Sequence, residues 1–285
     1  MRIGCIGVGK MGGGLARNLI RSGYDVVVYD IDREAVKRVL KVGGSAVHSP
    51  SEMAAMVDVL FTSLPLPKHL TDLLIDESGI LDQMQPGSTV IDVSTIDPRT
   101  ARLISDAASQ RGLQFLACPL GKGPVQAEEG TQPIYAGGKR EVFDQFESHL
   151  NKISTSVHYI GDVEQATAFK IISNLIGMTN VIVLCESLRL GEKFGIEQQF
   201  LQKLLATTGA DSYQLTLRGP KILNQEYTPG FSVNLTLKDI RLGVSMANDL
   251  NQPTPFGSLA MEFFQRAQNS GLGEEDCAAV YKLFE

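Results

Sequence analysis

Residues 2–12 are Arg2-Ile3-Gly4-Cys5-Ile6-Gly7-Val8-Gly9-Lys10-Met11-Gly12, and the architecture of the chain can be worked out from them. An apolar strand over residues 2–6 runs into a glycine-rich turn, and an amphipathic helix is predicted over 11–22. In such a turn the first glycine permits the bend, the second lets the backbone approach a pyrophosphate, and the third lets the helix pack on the strand. The helix start offers N–H groups and a partial positive charge to phosphates. The turn predicts a dinucleotide site with candidate residues Gly7, Val8, Gly9, Lys10, Met11 and Gly12.

An acidic residue follows the second predicted strand, which covers residues 25–29. Asp30 lies 23 residues after Gly7, where dinucleotide-binding folds carry the acid that binds the ribose 2′-OH. A carboxylate there repels a 2′-phosphate, so the sequence predicts NAD in preference to NADP, with Ile31 as a neighbouring cofactor-binding residue. Arg33 is close enough to weaken this preference. The alternative role for Asp30 is a helix N-cap, although Asp32 is the better placed cap.

Strands and helices alternate up to about residue 161, and only helical patterns follow. Strands are predicted over 2–6, 25–29, 57–63, 90–93, 114–118, 133–136 and 156–160, and helices over 11–22, 34–41 and 99–110. This alternation predicts βαβ units and a mostly parallel sheet. Apolar residues at helical spacing predict one long helix over 163–193 and further helices over 198–206, 212–224, 232–250 and 257–270. The predicted fold class is α/β followed by all-α, with domains at 1–161 and 162–285.

The composition argues against several classes of protein. The 285 residues carry a net charge of −6, whereas a nucleic-acid partner usually requires a basic face. The four cysteines form no CxxC pair and are predicted to be buried free thiols, and the four histidines do not have the spacing of a metal site. The longest apolar stretches are expected to fall well short of the roughly 20 residues of a membrane span, and no signal-peptide pattern is present. We therefore expect a cytoplasmic protein without a membrane partner.

Several distinctive blocks of sequence follow one another along the chain. They are Ile6 to Gly12 with Ala16-Arg17-Asn18-Leu19, then Asp92-Val93-Ser94-Thr95, then Pro119-Leu120-Gly121-Lys122-Gly123, then Lys170-Ile171-Ile172-Ser173-Asn174, and finally Lys238-Asp239. In these blocks the chain resembles the β-hydroxyacid dehydrogenases of the 6-phosphogluconate dehydrogenase superfamily, which include 3-hydroxyisobutyrate dehydrogenase and tartronate semialdehyde reductase. The resemblance implies a Rossmann-type NAD-binding domain, a long interdomain helix, and a helical domain for substrate binding and for assembly into homodimers or homotetramers.

The resemblance also implies residues for hydride transfer between a nicotinamide and a hydroxyl-bearing carbon. Lys170 matches the general acid/base, whose pKa must fall from about 10.4 before it can act as a base. Asn174, one helical turn on, could orient the lysine or hold a substrate hydroxyl. Further matches are Leu64, Pro65, Thr95 and Lys238 for the cofactor, and Ser94, Thr95, Gly121, Lys122 and Gly123, with Lys170 and Asn174, for the substrate. The alternatives are a solvated surface lysine for Lys170, a surface lysine paired with a nearby acid for Lys238, and a helix cap for Ser94 or Thr95.

Two departures from the family pattern bear on the substrate. Where the family has P-V-S-G-G, Gly121 replaces the serine and Lys122 the first glycine, as in the sulfolactaldehyde reductases, which the chain resembles here. A lysine beside free backbone amides suits a sulfonate or a carboxylate, so Lys122 is expected to bind the anionic end of a three-carbon substrate; the alternative is an exposed loop lysine. Glu164 and Ala166 replace two glycines before Lys170, which could reshape the pocket or move the helix start.

The function predicted is therefore that of an NAD-dependent dehydrogenase or semialdehyde reductase acting on a small anionic substrate. Sulfolactaldehyde is the sharpest candidate substrate, and a 3-hydroxyisobutyrate or tartronate semialdehyde enzyme is the main alternative. An imine reductase is disfavoured because Lys170 is present. An NAD(H)-binding sensor without turnover belongs to another class, and retention of Lys170, Asn174 and Lys238 argues against it.

Overall fold

A computed structural model describes residues 1–77 and 79–284 of the chain. The chain folds as two compact units, Met1–Lys170 and Ile171–Glu285, and the division falls inside one long helix. The boundary between residues 161 and 162 stays a prediction.

Apart from the long helix, the described residues of the first unit (1–77 and 79–170) form eight strands and seven α-helices. The strands are β1 (Arg2–Ile6), β2 (Asp25–Tyr29), β3 (Ser45–Ala46), β4 (Val59–Thr62), β5 (Thr89–Asp92), β6 (Gln114–Ala117), β7 (Pro133–Gly138) and β8 (Ser156–Gly161). The helices are α1 (Lys10–Arg21), α2 (Arg33–Leu40), α3 (Pro50–Ala54), α4 (Pro67–Leu74), α5 (Pro98–Gln110), α6 (Pro124–Glu129) and α7 (Arg140–Leu150), with a 3₁₀ helix at Ile80–Gln83.

The strands form one sheet in the order β3-β2-β1-β4-β5-β6-β7-β8. All neighbouring pairs are parallel except β6 and β7, which are antiparallel. Both faces are covered, since Val26 and Val28 of β2 point into one apolar core while Val27 points into the other. The strand order reverses at β1, whose neighbours are β2 and β4, so the turn after β1 lies at the point where such sheets bind ligands. The predicted fold class is confirmed.

The eleven-residue helix α7 and several shorter elements were not predicted from the sequence. β3 has two residues, and α3, α4 and α6 have five, eight and six residues. These three helices each begin with a proline in the first turn, where its missing N–H costs no hydrogen bond. In the sequence such a proline looks like a turn signal, because the helix that follows is too short to show a helical period of apolar residues.

The second unit is helical. The long helix α8 (Val163–Lys193) has the predicted bounds, and it is followed by α9 (Gln198–Leu205), α10 (Tyr213–Leu223), α11 (Val233–Asp249), α12 (Pro255–Ala267), a π-helical turn at Gln268–Leu272 and a 3₁₀ helix at Cys277–Phe284. A buried ion pair between Arg218 of α10 and Asp276 fixes the start of the last segment, with both Arg218 Nη1 distances to the carboxylate at 2.8 Å.

By length and composition alone, α8 is apolar enough to cross a membrane. The expectation that every apolar stretch falls well short of that length is therefore wrong for this helix. Val181, Cys185 and Leu188 of this helix are fully buried in the core of the second unit. Ile176, Val183 and Leu190 are exposed, and 33% of the most apolar window is buried.

The four cysteines are buried and free, as the sequence predicted. Burial raises the pKa of the Cys5 and Cys277 thiols to about 12. Burial also raises the pKa of Cys118 and Cys185. All four therefore remain protonated at neutral pH and serve as small apolar core residues.

Candidate active site

The turn after β1 has the geometry that a dinucleotide requires. Gly7 has a φ of +84°, and a Cβ there would lie 2.2 Å from the Ser63 carbonyl oxygen. A Cβ on Gly12 would lie 2.0 Å from the Gly7 carbonyl oxygen, so this position also excludes a side chain. Nothing lies within 4 Å of a Cβ built on Gly9. The backbone is therefore tight below the turn and open above it, where a pyrophosphate can approach α1.

Asp30 is held at the carboxyl end of β2. Its Oδ2 accepts a hydrogen bond from the Val8 N–H at 2.7 Å, and its Oδ1 accepts from the Asp32 N–H at 2.8 Å. The cap of α2 is Asp32, which accepts from the Glu34 N–H at 2.9 Å, so the alternative role of Asp30 as the cap does not apply. The two bonds to Asp30 fix its carboxylate next to the glycine turn.

A cavity of about 680 Å³ opens beside this carboxylate. It is lined by Tyr29, Asp30, Ile31, Arg33, Val36, Lys37, Val47 and His48. Ile31 is 91% exposed, an unusual position for an isoleucine, and offers an apolar face to an adenine ring. The arrangement fits the adenosine end of NAD or NADP: the pyrophosphate would lie at the start of α1, where no side chain caps the helix among the described residues, and the ribose at Asp30.

A buried polar network ties together the ends of β4 and β5. The Asp92 Oδ1 accepts hydrogen bonds from Thr62 Oγ1 at 2.8 Å and from Ser94 Oγ at 2.6 Å. The Ser94 hydroxyl in turn accepts from the Leu64 N–H at 2.9 Å. Ser94 thereby holds the Leu64 segment, with Pro65 exposed after it, at the same edge of the sheet as Gly7.

Helix α5 is capped by Asp97, which accepts from the Thr100 N–H at 2.9 Å. The helix-cap alternative for Ser94 and Thr95 is therefore excluded. Thr95 lies half-buried between the Ser94 network and this cap.

The loop after β6 contains Gly121, Lys122 and Gly123, and α6 begins directly behind it. Lys122 is exposed and has a φ of 55°, a left-handed conformation that costs a non-glycine residue energy and is found at functional sites. The Gly121 N–H donates to the Pro133 carbonyl at 2.8 Å, and the Gly123 N–H donates to Gln126 Oε1 at 3.2 Å. These two amides are engaged within the protein, which differs from the expectation that free amides of both glycines accompany Lys122.

The Ala16-Arg17-Asn18-Leu19 block anchors that loop to the cofactor helix. Asn18 Nδ2 donates to the Ala127 carbonyl of α6 at 2.8 Å, and Arg17 pairs with Glu128. A Cβ on Gly14 would lie 2.7 Å from Ala127, so α1 and α6 approach as closely as a glycine allows. The block therefore positions the loop of Lys122 against the helix that carries the dinucleotide turn.

Lys170 lies on the third turn of α8 and is only 9% exposed, so it is not the solvated surface lysine of the alternative interpretation. The helix starts at Val163, and both departures from the family glycines are accommodated locally. Glu164 pairs with Arg102. Ala166 packs against Gly137, where a Cβ would lie 2.6 Å from the alanine Cβ. Residues 164 and 166 thus continue the helix rather than shift its start.

Asn174 lies one turn after Lys170 on the same helix, and a buried carboxylate fixes its side chain. Asn174 Nδ2 donates to Asp239 Oδ2 at 2.6 Å, and Lys238 Nζ lies 2.6 Å from the other carboxylate oxygen. Because a carboxylate only accepts, the Asn174 amide nitrogen must face Asp239, which leaves Asn174 Oδ1 as an acceptor. Asp239 is 2% exposed, and the sequence includes it in the Lys238-Asp239 block but predicts no role for it.

Comparison with known proteins gives a consistent result. Residues 2–161 match the family described as the NAD binding domain of 6-phosphogluconate dehydrogenase, and residues 165–284 that described as NAD-binding of NADP-dependent 3-hydroxyisobutyrate dehydrogenase. The chain is 30% identical over 286 residues to 2-(hydroxymethyl)glutarate dehydrogenase of Eubacterium barkeri, with 100% of this chain and 95% of that protein covered. It is 31% identical to a probable mitochondrial 3-hydroxyisobutyrate dehydrogenase of Dictyostelium discoideum, with 98% and 89% covered. The crystal structure of 3-hydroxyisobutyrate dehydrogenase from Salmonella typhimurium matches with a TM-score of 0.92, 29% identity and 99% of both chains covered.

Proposed function

The chain belongs to the β-hydroxyacid dehydrogenase family of NAD(P)-dependent oxidoreductases, and from this we propose that it interconverts a short β-hydroxyacid or hydroxysulfonate and its semialdehyde, with Lys170 as the general acid/base. The observation that carries the proposal is the burial of Lys170 on α8, one turn before an asparagine whose amide is fixed by Asp239. This burial supports a role in proton transfer, because a lysine that serves only solubility is normally exposed to water.

Each residue has a task in this reaction. When bound, the nicotinamide supplies or accepts the hydride. Lys170 Nζ gives a proton to the aldehyde oxygen as the alcohol forms and removes it in the reverse direction. Asn174 Oδ1 accepts a hydrogen bond from the substrate hydroxyl or from the lysine, since its Nδ2 is committed to Asp239. Lys122 binds the acid group of the substrate and so sets its orientation.

Sulfolactaldehyde is the substrate we propose first, because Gly121 and Lys122 favour a three-oxygen anion. The names of the relatives favour a carboxylate instead, as in 3-hydroxyisobutyrate. Steady-state rates for sulfolactaldehyde, tartronate semialdehyde and methylmalonate semialdehyde with NADH and NADPH test these alternatives. Tight NADH binding without turnover of any aldehyde would favour the sensor. The four free thiols support a reducing, cytoplasmic location.

Replacing Lys122 with methionine is expected to raise KM for the anionic aldehyde about tenfold or more, because a charge-assisted contact to the acid group is lost. kcat is expected to change little, since the proton comes from Lys170. Lys139→Met, at an exposed lysine of the same unit, is the matched control and should leave KM unchanged. If Lys122→Met has the KM of the wild type, Lys122 does not bind the acid group of the substrate.

NADH is expected to be preferred over NADPH, and Asp30→Asn should narrow the ratio of their kcat/KM values about tenfold or more. The substitution removes the negative charge that repels the 2′-phosphate but keeps an acceptor for one of the two backbone N–H groups. Arg33 and Lys37 line the same cavity and then attract the phosphate. Asp32→Asn, two residues on, is the control. An unchanged ratio in Asp30→Asn would mean that the preference is set elsewhere.

A further inference from the structure

The loop of Lys122 pairs with β7, and this pairing determines which side chain of β7 lies against the loop. The Tyr135 N–H donates to the Pro119 carbonyl at 3.1 Å and the Gly121 N–H to the Pro133 carbonyl at 2.8 Å. Along β7, Ile134 is buried in the core of the first unit, whereas the next residue, Tyr135, lies on the opposite face and is only half-buried. The phenol is therefore presented to the loop rather than to the core.

Tyr135 occupies the space that a side chain at position 121 would need. A Cβ built on Gly121 would lie 2.9 Å from the Tyr135 hydroxyl oxygen and 2.5 Å from Pro133 Cγ. Tyr135 therefore requires a glycine at position 121. The space that a side chain at 121 would fill is taken by the Tyr135 hydroxyl, next to the residue that precedes Lys122.

The ring of Tyr135 is fixed from two sides. It makes an edge contact with Phe169, with ring centroids 4.6 Å apart, and stacks on His158 at 6.0 Å. Phe169 directly precedes Lys170 on α8, so the ring spans from that turn of the helix to the Gly121 loop. Rings held in this way lose little freedom when a ligand binds.

The hydroxyl itself has no hydrogen-bond partner among residues 1–77 and 79–284. Burial raises the pKa of Tyr135 above its ordinary value, so the phenol is a neutral O–H donor at any physiological pH. A half-buried donor without a partner in the protein is available to a ligand. The amides of Gly121 and Gly123, by contrast, are already used.

We propose that Tyr135 is a substrate-binding residue whose phenol O–H donates to the anionic group that Lys122 binds, and that it sets the preference for an acid-bearing substrate. The proposal rests on the proposed function. A sulfonate offers three acceptor oxygens and a carboxylate two, so a lysine and a phenol bind the same group without competing. Lys122 provides the positive charge that attracts the anion. Tyr135 orients the anion, because its ring is fixed whereas the lysine side chain is flexible.

Tyr135→Phe tests the proposal, because it removes one oxygen atom and leaves the ring contacts in place. We expect KM for the best anionic aldehyde to rise about tenfold, with kcat within about threefold and kcat/KM for uncharged glyceraldehyde unchanged. The thermal midpoint should stay within about 2 °C, because no hydrogen bond within the protein is lost. Tyr159→Phe, at a tyrosine of the neighbouring strand whose hydroxyl donates to the Gly138 carbonyl, is the control and should keep the wild-type KM.

An unchanged KM, an equal loss with glyceraldehyde, or a drop of the thermal midpoint by several degrees would overturn the role of Tyr135. Failure of the proposed function is distinguishable, because the wild type would then turn over none of the anionic aldehydes. In that case the affinity of the NADH complex for sulfoacetate is compared between the wild type and Tyr135→Phe. Weaker binding by Tyr135→Phe supports the proposal. Equal affinity of the two proteins, or no binding by the wild type, overturns it.

Discussion

Lys170→Met is expected to lower kcat by a factor of about 10²–10⁴ in both directions, with NADH affinity kept within about twofold. Methionine retains most of the side-chain volume in a position that is only 9% exposed, so packing changes little while the proton donor is lost. Lys170→Arg separates proton transfer from charge: the guanidinium keeps the charge but does not release its proton, so the loss should be nearly as large. Single-turnover rates of NADH oxidation and fluorescence titration of NADH measure the two quantities.

Lys193→Met, at the exposed end of the same helix, is the matched control and should keep wild-type rates. A Lys170→Met enzyme that retained kcat within tenfold would show that the proton comes from another group. A loss of NADH binding together with a lower thermal midpoint would assign Lys170 to the fold instead of the chemistry.

Local physics explains which parts of this architecture the sequence predicts. The turn at Gly7 can be predicted from the sequence, because its positive φ and the close approach of Gly12 depend on residues a few positions apart. Strand β2 and helix α8 have the predicted bounds because a run of valines and a proline-free apolar period are properties of single segments. The alternation of strands and helices predicts a mostly parallel sheet, but it does not predict the order of the strands or the antiparallel pairing of β6 with β7.

Other parts of the candidate site could not be predicted, because they depend on contacts between residues far apart in the sequence. Asp239 looks like an ordinary helix carboxylate until the fold places it against Asn174, 65 residues earlier. The hydroxyl of Tyr135 faces Gly121 only because the loop pairs with β7. The Pro133 carbonyl takes up the Gly121 amide in the same pairing, so the expectation of a free amide there could be corrected only by the structure.

Asp239→Ala is expected to lower kcat/KM about 100-fold, mainly through kcat, although its carboxylate is assigned no contact with the substrate. Its Oδ2 accepts a hydrogen bond from Asn174 Nδ2 at 2.6 Å, and its Oδ1 forms an ion pair with Lys238 Nζ, also at 2.6 Å. Without the carboxylate the Asn174 amide can rotate, and Oδ1 no longer points in one direction. Lys238 loses a partner within a largely buried setting, where a broken ion pair is costly. Asp239→Asn keeps the shape, but its amide can accept from only one of the two donors, so most of the loss should remain.

A double-mutant cycle with Asn174→Ala distinguishes positioning from general destabilisation. If Asp239 acts through Asn174, adding Asp239→Asn to Asn174→Ala should cost at most about fivefold in kcat, although the same change costs far more in the wild-type background. A merely structural role would lower the thermal midpoint and multiply the two losses in full. Asp249→Asn, near the exposed end of the same helix, is the control for a lost helix carboxylate. Full multiplication of the two losses in kcat would show that Asp239 does not position Asn174, whereas non-additive losses with a retained fold would make this buried carboxylate the residue through which α11 orients the asparagine of α8.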